Sequence, residues 1–198
     1  MRTILTWLAV TGLALPAQAA ELSSAYTHIN LERDCSVYAI NDEGGEFAQL
    51  ICPGWRGYPV ILSTGDLRES LFYGFPPAGD RLVWESFGAF NHTGPRIEWR
   101  IETDGEKSVP IATIHRWFVS DPEDDGRKTE VLVVEKVGQV GTAEGCTVGL
   151  VVATGNPKAN ETARRIADEQ ARQFACGADE RVLVSGDVPM PFFERQEP

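Results

Sequence analysis

Histidine is the side chain best suited to general acid–base chemistry near neutral pH, and the chain contains 3 of them. His92 stands in Asn91-His92-Thr93-Gly94, a sequence typical of a turn, and catalytic groups lie in loops more often than in strands. His92 is therefore the best candidate for a general base, assisted by nearby Asp or Glu side chains. His115 alternates with Ile114 and Arg116 in a strand-like run, which favours a structural role.

The spacing of the residues that could bind a metal does not indicate a metal or cofactor site. No two of His28, His92 and His115 lie within four residues of each other, so no local pair of metal ligands exists. The acidic stretch at 120–128 resembles the beginning of an EF-hand calcium-binding loop. Leu132, however, stands where such a loop needs an acidic residue that binds calcium through both carboxylate oxygens. Common nucleophile and phosphate-loop signatures are also missing. We therefore expect no cofactor and no metal, and an enzyme is the less favoured class.

A second candidate site is the stretch Cys52–Pro59, which places aromatic and basic residues between glycines and prolines. Trp, Tyr and Arg are frequent anchors of protein interfaces. We interpret Trp55, Arg56 and Tyr58 as candidate binding residues. The alternative is that the same loop is a turn covering one end of the core.

The 4 cysteines predict two disulfides if the chain folds in an oxidising compartment. The segments Cys35–Asn41 and Glu46–Cys52 are typical of two strands in a hairpin. They flank Asp42-Glu43-Gly44-Gly45, whose polar, glycine-containing sequence favours a tight turn. The cysteines at the outer ends of this hairpin should then come together.

The predicted register of the hairpin places Tyr38 opposite Gln49 and Cys35 opposite Cys52. Directly opposed strand residues bring their Cβ atoms to about 4.5–5.5 Å, near the separation that a disulfide requires. We expect a Cys35–Cys52 disulfide.

One principal helix is predicted over Lys158–Ala175. Asn156 is a good N-cap residue, and Pro157 suits the first helical position. A mostly apolar stripe at helical spacing is expected to pack on the sheet. Its members are Ala159, Ala163, Ile166, Ala167, Gln170 and Phe174.

The second disulfide follows from a match of lengths. The sequence of Cys146–Thr154 is typical of a buried strand, which would be about 30 Å long. The helix after it would run back in the opposite direction for about 27 Å. Cys176 should therefore end close to Cys146, and we expect a Cys146–Cys176 disulfide. A zinc site or redox dithiol would require Cys-x-x-Cys spacing, which the chain lacks.

The remaining pattern is β-rich, and it predicts an α+β fold with a mainly antiparallel sheet and one principal C-terminal helix packed on it. Residues 20–198 are expected to form a single domain, with 103–108 as the place for a boundary if there are two lobes. The tail from Pro189 is expected to lie over the surface. Further strands are predicted at Val60–Leu62, Glu69–Gly74, Arg81–Phe87, Arg96–Thr103, Val109–Val119, Thr129–Val137 and Val182–Ser185.

The N-terminus indicates export. Arg2, the apolar run Ile4–Leu15 and the small-x-small sequence Ala17-Gln18-Ala19 predict a signal peptide over residues 1–19. The apolar run is too short to span a bilayer core, so we expect no membrane anchor after cleavage. The whole chain has a net charge of −11, which repels nucleic acid but allows a cationic or envelope protein partner.

Several segments resemble a family of small exported bacterial proteins of unknown function. The resemblance runs through most of the chain after the signal peptide and implies a stand-alone periplasmic domain, with no established activity or catalytic residues. It is carried by Tyr26-Thr27, the region of Cys35, Cys52-Pro53-Gly54 with Gly57 and Pro59-Val60, Gly65-Asp66-Leu67-Arg68, Phe90-Asn91 with Gly94-Pro95, Glu98-Trp99-Arg100, and Cys146 followed by Ala159-Asn160-Glu161-Thr162-Ala163.

These observations favour a periplasmic or secreted, disulfide-bonded, non-enzymatic binding or accessory protein. One alternative is an inhibitor of a cationic cell-wall hydrolase such as lysozyme, which the negative charge would suit. Another is a small periplasmic hydrolase that uses His92.

Overall fold

The computed structural model describes residues 20–40, 47–77 and 82–196. The predicted signal peptide, residues 1–19, and the predicted turn Asp42-Glu43-Gly44-Gly45 lie outside the described residues. Within the described ranges, neither helix combines the length and hydropathy needed to cross a lipid bilayer.

Most of the described chain is β-structure with mainly antiparallel pairing, which confirms the predicted mainly antiparallel α+β fold with one principal helix. That helix is not C-terminal as predicted, because two further strands follow it. In chain order the elements are β1 Glu21–His28, α1 Leu31–Asp34, β2 Ser36–Ile40, β3 Ala48–Pro53, β4 Pro59–Gly65, β5 Arg68–Tyr73, β6 Trp84–Phe87, β7 Asn91–Asp104, β8 Lys107–Asp121, β9 Asp124–Lys136, β10 Cys146–Val152, α2 Ala159–Gln170, β11 Val182–Val184 and β12 Phe193–Gln196.

The central sheet has six strands in the order β1-β7-β8-β9-β10-β11, and its β10–β11 pair is parallel. A second sheet contains β2-β3-β4-β5, and β6 pairs with β12. Each face of the central sheet carries a hydrophobic core, so alternate side chains of β9 enter different cores. Val131 and Val133 join one core, and Leu132 and Val134 join the other. This explains why β9 contains an uninterrupted apolar run.

The first core lies between the central sheet and the second sheet. Its largest buried side chains are Tyr73, Phe87, Trp99 and Trp117. The second core lies beneath α2, where small residues let the helix approach the sheet closely. The helix contributes Ala159, Ala163, Ile166 and Ala167, and the chain after it adds Ala171 and Phe174.

The Cys35–Cys52 disulfide is present, with the two Cα atoms 4.2 Å apart. Strands β2 and β3 form the predicted antiparallel pair, but the predicted register is wrong near the turn. Ala39, not Tyr38, lies opposite Gln49, because a bulge shifts the pairing between Val37 and Ala39. The bulge leaves the cysteine end of the hairpin in the predicted register.

The Cys146–Cys176 disulfide is also present, with a Cα–Cα distance of 5.8 Å. It joins the start of β10 to the segment after α2, as the length match predicted. The helix is shorter than predicted, and its N-cap is Lys158 rather than Asn156. Asn156 instead forms a turn before the helix, in which its Oδ1 accepts a hydrogen bond from the backbone N–H of Lys158. Gln170, predicted in the buried stripe, is exposed.

Strand β7 begins at Asn91, so Asn91-His92-Thr93-Gly94 belongs to a strand and the predicted turn is wrong. The Asn91 side chain is buried, and its amide nitrogen donates to Ser86 Oγ at 3.2 Å. Its Oδ1 accepts from the backbone N–H of Glu69 at 3.1 Å. These long-range hydrogen bonds hold the segment extended against its local turn preference.

Two strands form where no strand was predicted. Strand β1 is an edge strand with a mostly polar sequence, which gave no apolar alternation to detect. Strand β12 pairs with β6, although its residues were expected to lie in a surface tail. The segment 103–108 forms the ends of β7 and β8 and the turn between them, with Gly105 at φ 59°.

Candidate functional site

The three longest strands extend beyond the N-terminal end of α2 and leave part of the central sheet uncovered. Ile114 and Leu132 lie under the start of the helix, where Asn160 marks its first turn. Beyond them the sheet face opens into a cleft of about 410 Å³. We call this site the arginine cleft. The side chains that give it its chemistry are Tyr26, Arg96, Glu98, Arg116, Phe118 and Arg164.

Arg96 is the most available cation of the arginine cleft. Its guanidinium carbon lies 4.1 Å from the centroid of the Tyr26 ring, a cation–π contact between β7 and the edge strand β1. Within the ranges that the structure describes, Arg96 makes no ion pair. Tyr26 thus supports the guanidinium without neutralising its charge.

Glu98, two residues from Arg96 on β7, joins the cleft to the helix α2. It accepts hydrogen bonds from Ser24 Oγ at 2.6 Å and from Arg164 Nε and Nη2 at 2.7 and 3.1 Å. Burial alone would raise the pKa of Glu98, but the hydrogen bonds from Arg164 and Ser24 and the charges of Arg164 and Arg100 outweigh burial and lower the pKa. Glu98 therefore stays ionised and orients Arg164.

A series of ion pairs holds α2 in position beside the cleft. Strand side chains two residues apart are separated by about 6.7 Å, and helix side chains four residues apart by about 6 Å, so alternate residues of β7 can pair with every fourth residue of α2 and of the turn that follows it. The charges are complementary at each step. The pairs are Glu98–Arg164, Arg100–Asp168 and Glu102–Arg172.

The far end of the cleft combines another arginine with aromatic rings. Arg116 of β8 forms an ion pair with Glu130 of β9. The ring of His92 stacks on Phe118 with their centroids 5.2 Å apart. Burial and the positive charge of Lys128 lower the pKa of His92, so the imidazole is neutral at pH 7.

The arrangement is suited to binding an anion. Guanidinium groups form paired hydrogen bonds with carboxylates and phosphates, and the adjacent rings offer flat apolar contact. Arg96, Arg116 and Arg164 converge here in a chain whose overall charge is −11. Among the residues that the structure describes, no group of three or more His, Cys, Asp or Glu side chains is placed to hold a metal ion.

His92 therefore lies beside the arginine cleft, on an exposed strand position rather than in a loop. His115 is fully buried beside Tyr73 of the first core and takes part in a hydrogen-bonded chain. The carbonyl of Gly94 can only accept, so His115 Nε2 donates to it, at 2.6 Å. Nδ1 of the neutral ring then accepts from the Tyr73 hydroxyl at 2.7 Å.

The second candidate site, Trp55, Arg56 and Tyr58, lies in the loop between β3 and β4. Trp55 and Tyr58 pack against the first core, and the Tyr58 hydroxyl donates to Gln139 Oε1 at 2.9 Å. Arg56 is exposed, with its guanidinium carbon 4.8 Å from the centroid of the Trp55 ring. The structure does not bring this loop to the arginine cleft.

The cleft could not be found from the sequence because its residues are far apart in the chain. Tyr26, Arg96, Arg116 and Arg164 lie on four different elements, so no local spacing links them. Comparison with protein-family models, curated proteins and solved structures finds no match to this chain.

Proposed function

We propose that this chain is an exported, non-enzymatic binding protein that holds a small anionic ligand in the arginine cleft. Export is supported by the N-terminal sequence and by two disulfides, which persist in oxidising compartments. The binding role is supported by the concentration of cationic and aromatic side chains at one depression.

The proposal rests on Arg96, whose guanidinium has no carboxylate partner among the described residues. A guanidinium that lies over an aromatic ring at 4.1 Å, with no carboxylate partner among the described residues, keeps its hydrogen-bond donors available to a ligand. Arg116 and Arg164 also line the cleft, and each already has a carboxylate partner that fixes its direction. The site therefore offers one cation without a carboxylate partner among the described residues, in the same cleft as two oriented ones.

The rest of the surface restricts the size of the anion. A chain with a net charge of −11 repels an extended polyanion at long range. A small carboxylate or phosphate ester can instead be held locally by a few charge-assisted hydrogen bonds. We therefore expect a ligand with one or two anionic groups.

Titration calorimetry with inorganic sulfate tests this function at low and physiological ionic strength. We expect saturable binding that weakens with added salt, because the interaction is between charges near solvent. Arg96→Gln should lower the affinity at least about tenfold, because a hydrogen bond to a charged group contributes about 1.5–3 kcal/mol.

Arg56→Gln is the matched control, since Arg56 also lies over an aromatic ring but outside the cleft. It should leave sulfate affinity unchanged. Equal losses in the two variants, or no saturable binding by the unmodified chain, would contradict the proposed function. Near-UV circular dichroism checks that each variant keeps the native packing.

A further inference from the structure

A second depression, the apolar groove, lies where β8 and β9 approach their common hairpin. Its volume is about 990 Å³, and we define it by Phe90, Ser120, Lys128, Pro189, Met190 and Phe192. Phe90 is 52 % exposed and Phe192 is 73 % exposed. Large apolar side chains that remain this accessible around one depression commonly mark a binding surface.

The apolar groove and the arginine cleft are neighbours along one strand. Phe118 lines the cleft and Ser120 lines the groove, and residues two apart on β8 are separated by about 7 Å. On β9, Lys128 lies directly opposite Ser120. One extended molecule of modest size can therefore contact both depressions.

Lys128 adds a cation at the junction between them. It makes no ion pair with any side chain that the structure describes, whereas its neighbour Arg127 pairs with Asp121. An apolar groove that leads to Lys128, and then to Arg96, matches a molecule with an apolar chain and an anionic end.

We propose that the ligand is a free single-chain anionic amphiphile, whose acyl chain lies in the apolar groove and whose anionic head lies between Lys128 and Arg96. This inference rests on the proposed anion site and names its ligand class. The anionic head can be a carboxylate or a phosphate ester, because both bind guanidinium groups in the same way.

A chain-length series of probes tests the assignment by calorimetry below their micelle-forming concentrations. The probes are hexanoate, octanoate and decanoate, with decanol as the uncharged control and sulfate as the anion without a chain. Affinity should increase about fourfold for each methylene group that becomes buried. Decanol should bind at least about tenfold more weakly than decanoate, because it lacks the charge-assisted hydrogen bonds.

Two variants separate the chain site from the head site. Phe90→Ser and Phe192→Ser should remove most of the chain-length dependence and leave sulfate affinity unchanged. Tyr38→Ser is the matched control, because Tyr38 is a 74 % exposed aromatic residue on β2, outside both depressions. It should leave the whole series unchanged.

The outcomes distinguish this inference from the proposed function. Arg96-dependent sulfate binding with equal affinities for hexanoate and decanoate would overturn the amphiphile assignment and retain the anion site. Chain-length dependence that persists in both phenylalanine variants would also overturn it. Binding only to phosphatidylglycerol vesicles, with no binding of monomeric decanoate, would overturn it in favour of a membrane surface. Absence of any anion binding would contradict the proposed function itself.

Discussion

Arg100 of β7 and Asp168 of α2 form a two-bond ion pair, in which Arg100 Nε and Nη2 lie 2.7 and 2.8 Å from the two carboxylate oxygens. The Arg100 side chain is 9 % exposed and that of Asp168 is 25 % exposed. This pair is the middle member of the series that fastens α2 beside the arginine cleft. The position of the helix therefore depends on a largely buried charge.

Arg100→Met should destabilise the protein by about 3 kcal/mol, because removing one partner of a largely buried ion pair leaves the other charge uncompensated. Arg172→Met is the comparison, since its side chain is 55 % exposed and its pair with Glu102 lies nearer solvent. That variant should lose no more than about 1 kcal/mol. Urea unfolding measures both free energies, and equal losses would contradict the assigned difference in burial.

Removing both cysteines of a disulfide should destabilise the chain by an amount that depends on the length of the closed loop. Cys35–Cys52 has a sequence separation of 17 and Cys146–Cys176 a separation of 30. Loop entropy then predicts losses of about 3.2 and 3.7 kcal/mol for the two Cys→Ser pairs. Guanidinium unfolding of the two double variants measures these values. A loss of stability below about 1 kcal/mol for either pair would contradict a stabilisation by loop entropy for that disulfide.

The disulfide pairing was predictable because each pair is governed by local geometry. The hairpin brings Cys35 to Cys52, and a strand followed by a returning helix brings Cys146 to Cys176. The small bulge in β2 did not affect this result, since it lies nearer the turn than the cysteines.

Other features depend on contacts that no local pattern reveals. The sequence around Asn91 is typical of a turn. Its side chain is nevertheless buried and hydrogen-bonded to residues of β5 and β6, and its segment is therefore a strand. Strand β1 is polar because it lies at a sheet edge, yet it supplies Tyr26 to the arginine cleft. The cleft itself requires the register of β1, β7 and β8 and the position of α2, which only the folded chain provides.

His115 should make stability depend on pH below neutrality. Burial lowers the pKa of His115 from 6.5 to about 4, although the hydrogen bond to Gly94 partly offsets it. The unfolded chain therefore binds the proton more tightly, and this contribution, up to about 3.4 kcal/mol, is present above pH 6.5 and is lost as the pH falls towards 4. His115→Gln removes the titration and can keep hydrogen bonds to both partners.

The measurement is the difference in unfolding free energy between the unmodified chain and His115→Gln from pH 8 to pH 4. Burial, followed by the charge of Glu85, raises the pKa of Glu135, so this carboxyl favours the folded state as the pH falls. It does so in both proteins and cancels in the difference. The advantage of the unmodified chain should shrink as the pH falls. A difference that is constant over this range would contradict the lowered pKa of His115.

If Arg96 holds an anion, the NMR signal of its Nε–H group must respond to binding. With increasing sulfate, the Arg96 signal, assigned by its loss in Arg96→Gln, should shift along a saturable curve. The Arg56 signal should change little, because that guanidinium lies outside the cleft. Parallel, non-saturating shifts of the Arg96 and Arg56 signals would contradict an anion site in the arginine cleft.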